Sequence, residues 1–182
     1  MIRWALWTLA GLALGVVVHL STVLYLPRTA TNDAYSRLAP VAAINAVTPL
    51  PQPGPNGAVM PFMDPSFATA VCRYDLSEGP LKLIAPVSQA FTSVSFYTRY
   101  GIAFYAITDR AAGRRTIELD LMTEAQRKLV PEEEDVTSAD RLIVDAPTTT
   151  GLILIRALSP EPSLMPMAQR AVAGAKCEIQ KS

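Results

Sequence analysis

The pattern of hydrophobic and polar positions divides the chain into one uninterrupted apolar stretch and a longer region of alternating positions. Residues 4–26 contain no Asp, Glu, Lys or Arg, and a helix of that length spans the ~30 Å hydrocarbon core of a bilayer. Trp4, Trp7 and Tyr25 lie near its two ends, where aromatic rings favour the headgroup level. We therefore predict a transmembrane helix over residues 4–26, ended by Pro27.

This stretch has two interpretations, an anchor or a secretory signal. A secretory signal has about 7–15 apolar residues followed by a small-x-small cleavage motif. The stretch is longer and the following LPRTATND has no A-x-A motif, which favours an uncleaved anchor. Basic residues flank both ends, but long domains translocate largely regardless of charge. We expect residues 1–3 to form a cytoplasmic stub and the main domain to be extracytoplasmic.

Alternating apolar and polar positions indicate a series of short strands after residue 66. In one of them Val94 and Phe96 share a face, whereas Ser93, Ser95 and Tyr97 point the other way. Further strands are predicted at 67–76, 81–87, 102–108, 115–121, 141–147 and 151–158. Short strands separated by turns predict a mainly β fold, an antiparallel sandwich or partial barrel with short helices.

Helices and a linker complete the predicted organisation. Short helices are expected after Asp33, at 123–129 with Thr123 as N-cap, and at 162–177. The buried stripe predicted for the last helix is Leu164, Met165, Ala168, Ala171 and Val172. Residues 48–62 contain five prolines, which excludes a central strand. We therefore predict a juxtamembrane helix and linker over 27–62 and the β-rich domain over 63–182.

Composition excludes several classes of function. Sixteen basic and sixteen acidic side chains give zero net charge, so no basic surface is predicted for nucleic acid. The single histidine, His19, lies inside the apolar stretch, which leaves the remainder without imidazole chemistry. Phosphate-loop and G-x-S-x-G motifs are missing, and the acidic residues 131–140 lack calcium-loop spacing. We expect no cofactor, no metal and a solvated acidic loop.

Two cysteines, Cys72 and Cys177, are the only thiols in the sequence. A disulfide between them would close a loop of about 100 residues, worth up to ~4.7 kcal/mol in the chain-entropy model. The alternative is two unrelated buried thiols. Because Cys177 lies in a polar tail, a disulfide is favoured, and it supports an extracytoplasmic domain.

The apolar stretch also carries a candidate packing face. Gly11 and Gly15 form a G-x-x-x-G pair, and His19 follows four residues later. Small residues at this spacing allow two membrane helices to approach closely. The alternative is that these glycines are unpaired and that His19 is neutral near the interface.

Polar residues at the strand ends form the candidate ligand-binding set. Aspartate, arginine and tyrosine together bind anionic or sugar-like ligands through charge-assisted hydrogen bonds and ring stacking. The candidates are Arg73, Tyr74, Asp75, Tyr97, Arg99, Tyr100 and Asp109. The alternative is ion pairs and half-exposed tyrosines on a sheet face. No residue is assigned a catalytic role.

Four blocks of the sequence, at 62–87, 91–114, 121–126 and 135–158, resemble the short, membrane-anchored bacterial form of the domain-of-unknown-function family number 1254. The resemblance implies a β-rich envelope protein with no established reaction. Longer relatives carry a second domain of unknown function, number 1214, after this one. It therefore implies that a separate membrane-anchored protein supplies that domain as a partner.

Two functions are compatible with these expectations. The first is a non-enzymatic module at the bacterial inner membrane, whose periplasmic β-domain docks a partner protein. The alternative is a periplasmic ligand-binding or hydrolytic domain with an Asp/Arg/Tyr pocket.

Overall fold

The computed structural model describes residues 1–29, 33–55, 57–111, 115–129 and 142–180. The chain forms two compact units, Met1–Asp33 and Ala34–Ser182. The acidic loop predicted at 131–140 lies outside the described residues.

The first unit is one helix, α1 (Ile2–Thr29). Its segment Ile2–Leu26 is long and apolar enough to cross a membrane, with a mean hydropathy of 2.0. The helix extends past Pro27, where the sequence predicted its end, and the Thr29 hydroxyl donates to the Tyr25 carbonyl at 3.3 Å. A proline this close to the end of a helix removes only one backbone donor from its last turns.

The second unit contains short helices and a set of strands. The helices are α2 (Ala34–Leu38), α3 (Glu124–Arg127) and α4 (Met165–Ala173). The strands are β1 (Val47–Pro49), β2 (Phe67–Asp75), β3 (Leu81–Pro86), β4 (Thr92–Thr98), β5 (Ala103–Thr108), β6 (Thr116–Thr123), β7 (Leu142–Ala146), β8 (Thr150–Leu158) and β9 (Lys176–Ile179).

These strands form two sheets, which confirms the predicted β-rich fold. One sheet has five strands in the order β1-β2-β8-β4-β5, and the other has four in the order β7-β6-β3-β9. All pairs are antiparallel except β6 with β7, which are parallel. A helix-containing connection separates β6 from β7, which gives the chain length that a parallel pair requires.

The main core lies between the sheets. Alternate residues of β2, β4 and β8 point into it, including Ala70, Phe96 and Ile153, and they meet Leu83 and Leu119 of the other sheet. Val94 and Phe96 share the inner face, as the alternation predicted. The opposite face of the five-stranded sheet is thereby left for other contacts.

A disulfide joins the sheets, which confirms the predicted pairing of Cys72 with Cys177. Cys72 lies in β2 and Cys177 in β9, with their Cα atoms 6.5 Å apart. The prediction of a helix continuing to Cys177 was wrong, because α4 ends at Ala173 and the polar tail forms an edge strand beside β3. Ladder pairing and the disulfide override the local sequence preference there.

The predicted stripe of α4 is only partly buried. Ala168 and Val172 are buried, whereas Leu164 is 38% exposed. Leu164 lies before the first residue of α4, in a short 3-10 turn, so it does not share the buried face.

Residues 34–64, which we call the covering segment, pack on the outer face of the five-stranded sheet. Tyr35, Leu38 and Leu50 are buried there against Val71 and Leu152. The compact domain therefore begins at Ala34, ahead of the predicted boundary at residue 63. Strand β1, which belongs to the covering segment, lies at the edge of the sheet, where prolines are tolerated.

Candidate functional site

A cavity of about 330 Å³ lies between the covering segment and the outer face of the five-stranded sheet. Most of its lining is apolar. The covering segment contributes Leu38, Leu50, Met60 and Met63, and the sheet contributes Phe67, Val71, Leu152 and Leu154. This volume falls at the lower end of the ~300–1,000 Å³ range of ligand pockets, so the cavity fits a small, mainly apolar molecule.

Strand register explains why this face is apolar. Residues opposite each other on neighbouring strands point to the same side of a sheet, and Val71 of β2 lies opposite Leu154 of β8. Leu152 of β8 lies opposite Tyr97 of β4. The outer face therefore has an apolar region at Val71 and Leu152, which the covering segment shields.

Arg156 is the cationic side chain of the lining. Its register neighbours are Thr69 on β2 and Ser93 on β4. The Arg156 Cζ atom lies 5.7 Å from the centre of the Phe67 ring. Its Nε atom is buried and has no hydrogen-bond partner among the described residues, and the same holds for the Ser93 hydroxyl oxygen.

Carboxylates of the described residues do not neutralise Arg156. The ion pairs formed among these residues do not include it. Asp64 also contributes to the cavity lining, but it is exposed and its Oδ1 atom accepts the Ser66 amide at 2.8 Å. The cavity thus combines an apolar body with one cationic position at Arg156, beside Thr69.

Two arginines hold the covering segment through Tyr35. The Arg73 and Arg99 guanidinium carbons lie 4.3 Å and 5.1 Å from the centre of its ring. Arg73 is only 9% exposed and donates to the Ala42 carbonyl at 3.1 Å. Cation–π contacts contribute about 0.5–2 kcal/mol, more when they are desolvated, so this cluster fixes α2 on the sheet.

The predicted candidate residues are therefore divided among several places. Arg73 and Arg99 meet at Tyr35, and Tyr97 lines the cavity. Tyr74 is fully buried on the opposite face of the sheet, within the main core. Its phenol donates to the Tyr97 carbonyl at 3.4 Å, and its burial raises its pKa above the ordinary value.

The remaining candidates lie away from the cavity. The Asp75 carboxylate accepts the amide and the hydroxyl of Ser77, which makes it part of a turn. Tyr100 is 41% exposed. Asp109 follows β5 at the end opposite Tyr97, and its buried Oδ1 atom has no hydrogen-bond partner in the part of the chain that the structure describes. The seven residues do not form one pocket.

Gly11, Gly15 and His19 follow one face of α1 at intervals of four residues. All three are exposed, and a Cβ atom at either glycine would meet nothing within 4 Å. Helix pairing through this face stays a prediction. No group of three His, Cys, Asp or Glu residues that would suit a metal ion occurs in the part of the chain that the structure describes.

Sequence reasoning missed Arg156, Thr69 and Ser93 as site residues. Arg156 lies in a strand that is otherwise almost entirely apolar, GLILIRAL. A single charge in such a strand was the available signal, because it shares its face with Leu152 and Leu154 by simple alternation.

The fold is similar to parts of longer proteins of known structure. The VPA0106 protein of Vibrio parahaemolyticus is 10% identical, with a TM-score of 0.58 over 80% of this chain and 32% of that one. An uncharacterised protein of Burkholderia cenocepacia is 14% identical, with a TM-score of 0.50 over 88% of this chain and 46% of that one. The chain spans less than half of either structure, and these likenesses show the fold alone. A comparison with curated proteins found no match.

Residues 44–178 match the family described as "Protein of unknown function (DUF1254)". The match covers more than half of the chain and confirms the resemblance seen in the sequence. It includes both sheets, the disulfide and most of the cavity lining. The chain therefore belongs to the DUF1254 family of proteins of unknown function.

Proposed function

We propose that the domain binds a small, mainly apolar molecule in the cavity beneath the covering segment. The cavity itself carries this proposal, because about 330 Å³ of space lined by leucine, methionine and phenylalanine side chains remains open on one sheet face. Leaving such surface unfilled forfeits dispersion contacts that a ligand would restore. On the other face of the five-stranded sheet, the side chains pack against the four-stranded sheet in the main core.

In this proposal α1 holds the domain at the bacterial inner membrane, with the N-terminus cytoplasmic and the domain periplasmic. The apolar segment Ile2–Leu26 supports the anchoring. The Cys72–Cys177 disulfide supports the periplasmic side, because disulfides persist in oxidising compartments.

We propose binding and no chemical reaction. The polar side chains of the lining are Asp64, Thr69, Tyr97 and Arg156. A nucleophile needs an adjacent base within hydrogen-bond reach, and the hydrogen bonds of the described residues include no such pair among these four. The hydrolytic alternative therefore has no supporting contact.

Methionine methyl groups provide a local test. The full chain, carrying ¹³C-methyl methionine in deuterated detergent micelles, is titrated with decan-1-ol. Met60 and Met63 line the cavity, whereas Met122 lies in β6 of the other sheet. The proposal predicts saturable shifts of the Met60 and Met63 methyl resonances, with Met122 unchanged.

A pair of matched variants separates cavity binding from uptake of the probe by the micelle. Leu154→Trp fills the cavity, while Ile84→Trp places the same ring on β3, outside the lining. Leu154→Trp should abolish the saturable shifts and Ile84→Trp should retain them. Linear shifts without saturation in the wild type, or equal shifts in both variants, would contradict cavity binding.

A second candidate function, docking of a partner protein, is favoured by a different observation. The two solved structures are much longer, and this chain covers 32% and 46% of them. We propose that a separate membrane-anchored protein carrying the companion domain number 1214 binds this domain. Affinity purification of the full chain from detergent-extracted membranes should recover that protein in stoichiometric amount, and recovery of the chain alone would oppose the idea.

A further inference from the structure

We infer that the cavity's ligand is a single-chain amphiphile whose carboxylate binds Arg156. This inference rests on the proposed function and adds to it the chemical class of the ligand. It follows from the position of Arg156 at the cavity, the hydrogen-bonding groups on either side of it and the charge balance of the lining.

Arg156 is the middle member of a polar row that crosses the sheet. Thr69 lies opposite it on β2 and Ser93 lies opposite it on β4. Opposed residues have Cβ atoms about 4.5–5.5 Å apart, so the Thr69 and Ser93 side chains lie near the base of the Arg156 side chain. The guanidinium presents several N–H donors in one small area, which suits an oxyanion.

Two polar atoms of this row lack a hydrogen-bond partner within the described part of the chain. They are Arg156 Nε and Ser93 Oγ, and both are buried. The Phe67 ring, at 5.7 Å from the guanidinium carbon, is near the ~6 Å limit of a cation–π contact, so this contact is a weak one. A buried donor without a partner destabilises the protein, and a bound carboxylate would remove that penalty.

The charge of the site matches a monoanion. Arg156 is the one cationic side chain among the described lining residues. Asp64, the acidic residue of the lining, is exposed and has one oxygen engaged by the Ser66 amide, so water screens its charge. A single guanidinium neutralises a carboxylate, whereas a dianionic phosphate would retain excess charge in an apolar site.

The remainder of the lining determines the other end of the ligand. Leu152, Leu154 and Val71 continue the sheet face away from the polar row, and Met60 and Met63 cover it. Methionine adapts to flexible apolar chains. A volume of about 330 Å³ lies at the low end for ligand pockets, which favours one alkyl chain over two.

Decanoate and decan-1-ol form a matched pair of probes, since they share an alkyl chain length and differ in the charge of the head. The full chain is titrated with each in the same deuterated micelles, at a pH where decanoate is ionised, and the Met60 and Met63 methyl shifts are followed. The wild type should bind decanoate about tenfold or more tightly than decan-1-ol, as expected for a charge-assisted hydrogen bond.

Substitutions in the polar row show which side chain causes the preference for decanoate over decan-1-ol. Arg156→Leu should remove it while retaining decan-1-ol binding, and Arg156→Lys should restore part of it. Ser93→Ala should weaken decanoate binding by a smaller factor and leave decan-1-ol unchanged. All variants are measured in the same micelles, so the amount of probe that partitions into the micelles is equal and does not affect the comparison between variants.

The outcomes separate this inference from the proposed function. Saturable decan-1-ol binding without a preference for decanoate, or a preference that survives Arg156→Leu, would overturn the carboxylate assignment and leave cavity binding intact. Failure of both probes to produce saturable shifts would overturn the proposed function itself.

Discussion

Gly151 of β8 lies directly against Tyr74 of β2 and Tyr97 of β4. A Cβ atom there would overlap the Tyr97 carbonyl oxygen and the Tyr74 hydroxyl. Tyr74 is fully buried in the main core, so it has little room to withdraw. The absence of a side chain at this position allows one buried tyrosine to fill the core while β4 and β8 remain paired.

Replacing Gly151 by alanine should lower the free energy of unfolding by about 1–3 kcal/mol, the usual cost of overpacking. Thermal or urea denaturation of the full chain in detergent would measure this loss. Gly54→Ala is the control, since a Cβ atom at Gly54 meets nothing within 4 Å. Equal stability of the two variants would contradict the packing account.

Tyr74 should also make stability depend on pH. Burial raises the pKa of its phenol, whereas an unfolded tyrosine ionises near pH 10. The folded protein therefore retains a proton that the unfolded chain releases. The contribution is fully present below about pH 10 and is lost as the pH rises through the folded pKa.

Urea titrations at a series of alkaline pH values would measure this dependence. The free energy of unfolding of the wild type should fall more steeply above about pH 10 than that of Tyr74→Phe, which cannot ionise. Parallel curves for the two proteins would show that another group is responsible.

At the scale of elements, the covering segment determines whether the cavity exists. It is held by the Tyr35 ring between Arg73 and Arg99, and by the Leu50 amide, which donates to the Thr69 carbonyl at 2.9 Å. The segment packs against one face of one sheet, whereas the main core is enclosed between two sheets. Local opening of this segment should therefore need less free energy than global unfolding.

Tyr35→Ala should loosen the covering segment without unfolding the sheets, because the ring is buried on the outer face only. Hydrogen exchange should show faster exchange of the Leu50 amide, with amides of β8 at the main core unchanged. Tyr35→Phe retains the ring and should exchange like the wild type. Uniformly faster exchange in Tyr35→Ala would indicate that the segment and the sheets open together.

The disulfide connects an element of each sheet, and its loss should affect the whole domain. Cys72→Ala/Cys177→Ala should unfold with a free energy about 2–5 kcal/mol lower than the wild type. Reductant should destabilise the wild type and leave the double variant unchanged. A double variant as stable as the oxidised wild type would contradict a stabilising role.

The elements differ in how far the sequence predicted them. Period-two alternation predicted β4 and the faces of its residues, because each face meets a different environment. The covering segment was predicted as a linker because of its prolines, and its burial comes from contacts with Val71 and Leu152, which are distant in sequence. The polar β9 and the row at Arg156 depend on strand pairing, which no local pattern encodes.

At the scale of the molecule, an apolar helix and a β-sandwich domain follow each other in a chain of 182 residues. The domain is similar in fold to part of two much longer proteins, and it contains its own core, its own disulfide and its own cavity. These features support binding by the domain's own residues. The cavity is lined by residues of this chain, so a partner protein is not needed to form it.

Intermolecular nuclear Overhauser effects between a saturating alkyl probe and the full chain test the central claim most directly. Binding in the cavity should give effects from the decanoate chain to the Met60 methyl group and to the Leu152 methyl groups, which line the cavity from opposite sides. No effect is expected to Ile84 on β3. Saturable binding with effects confined to residues outside the lining would contradict the claim that this cavity is the binding site.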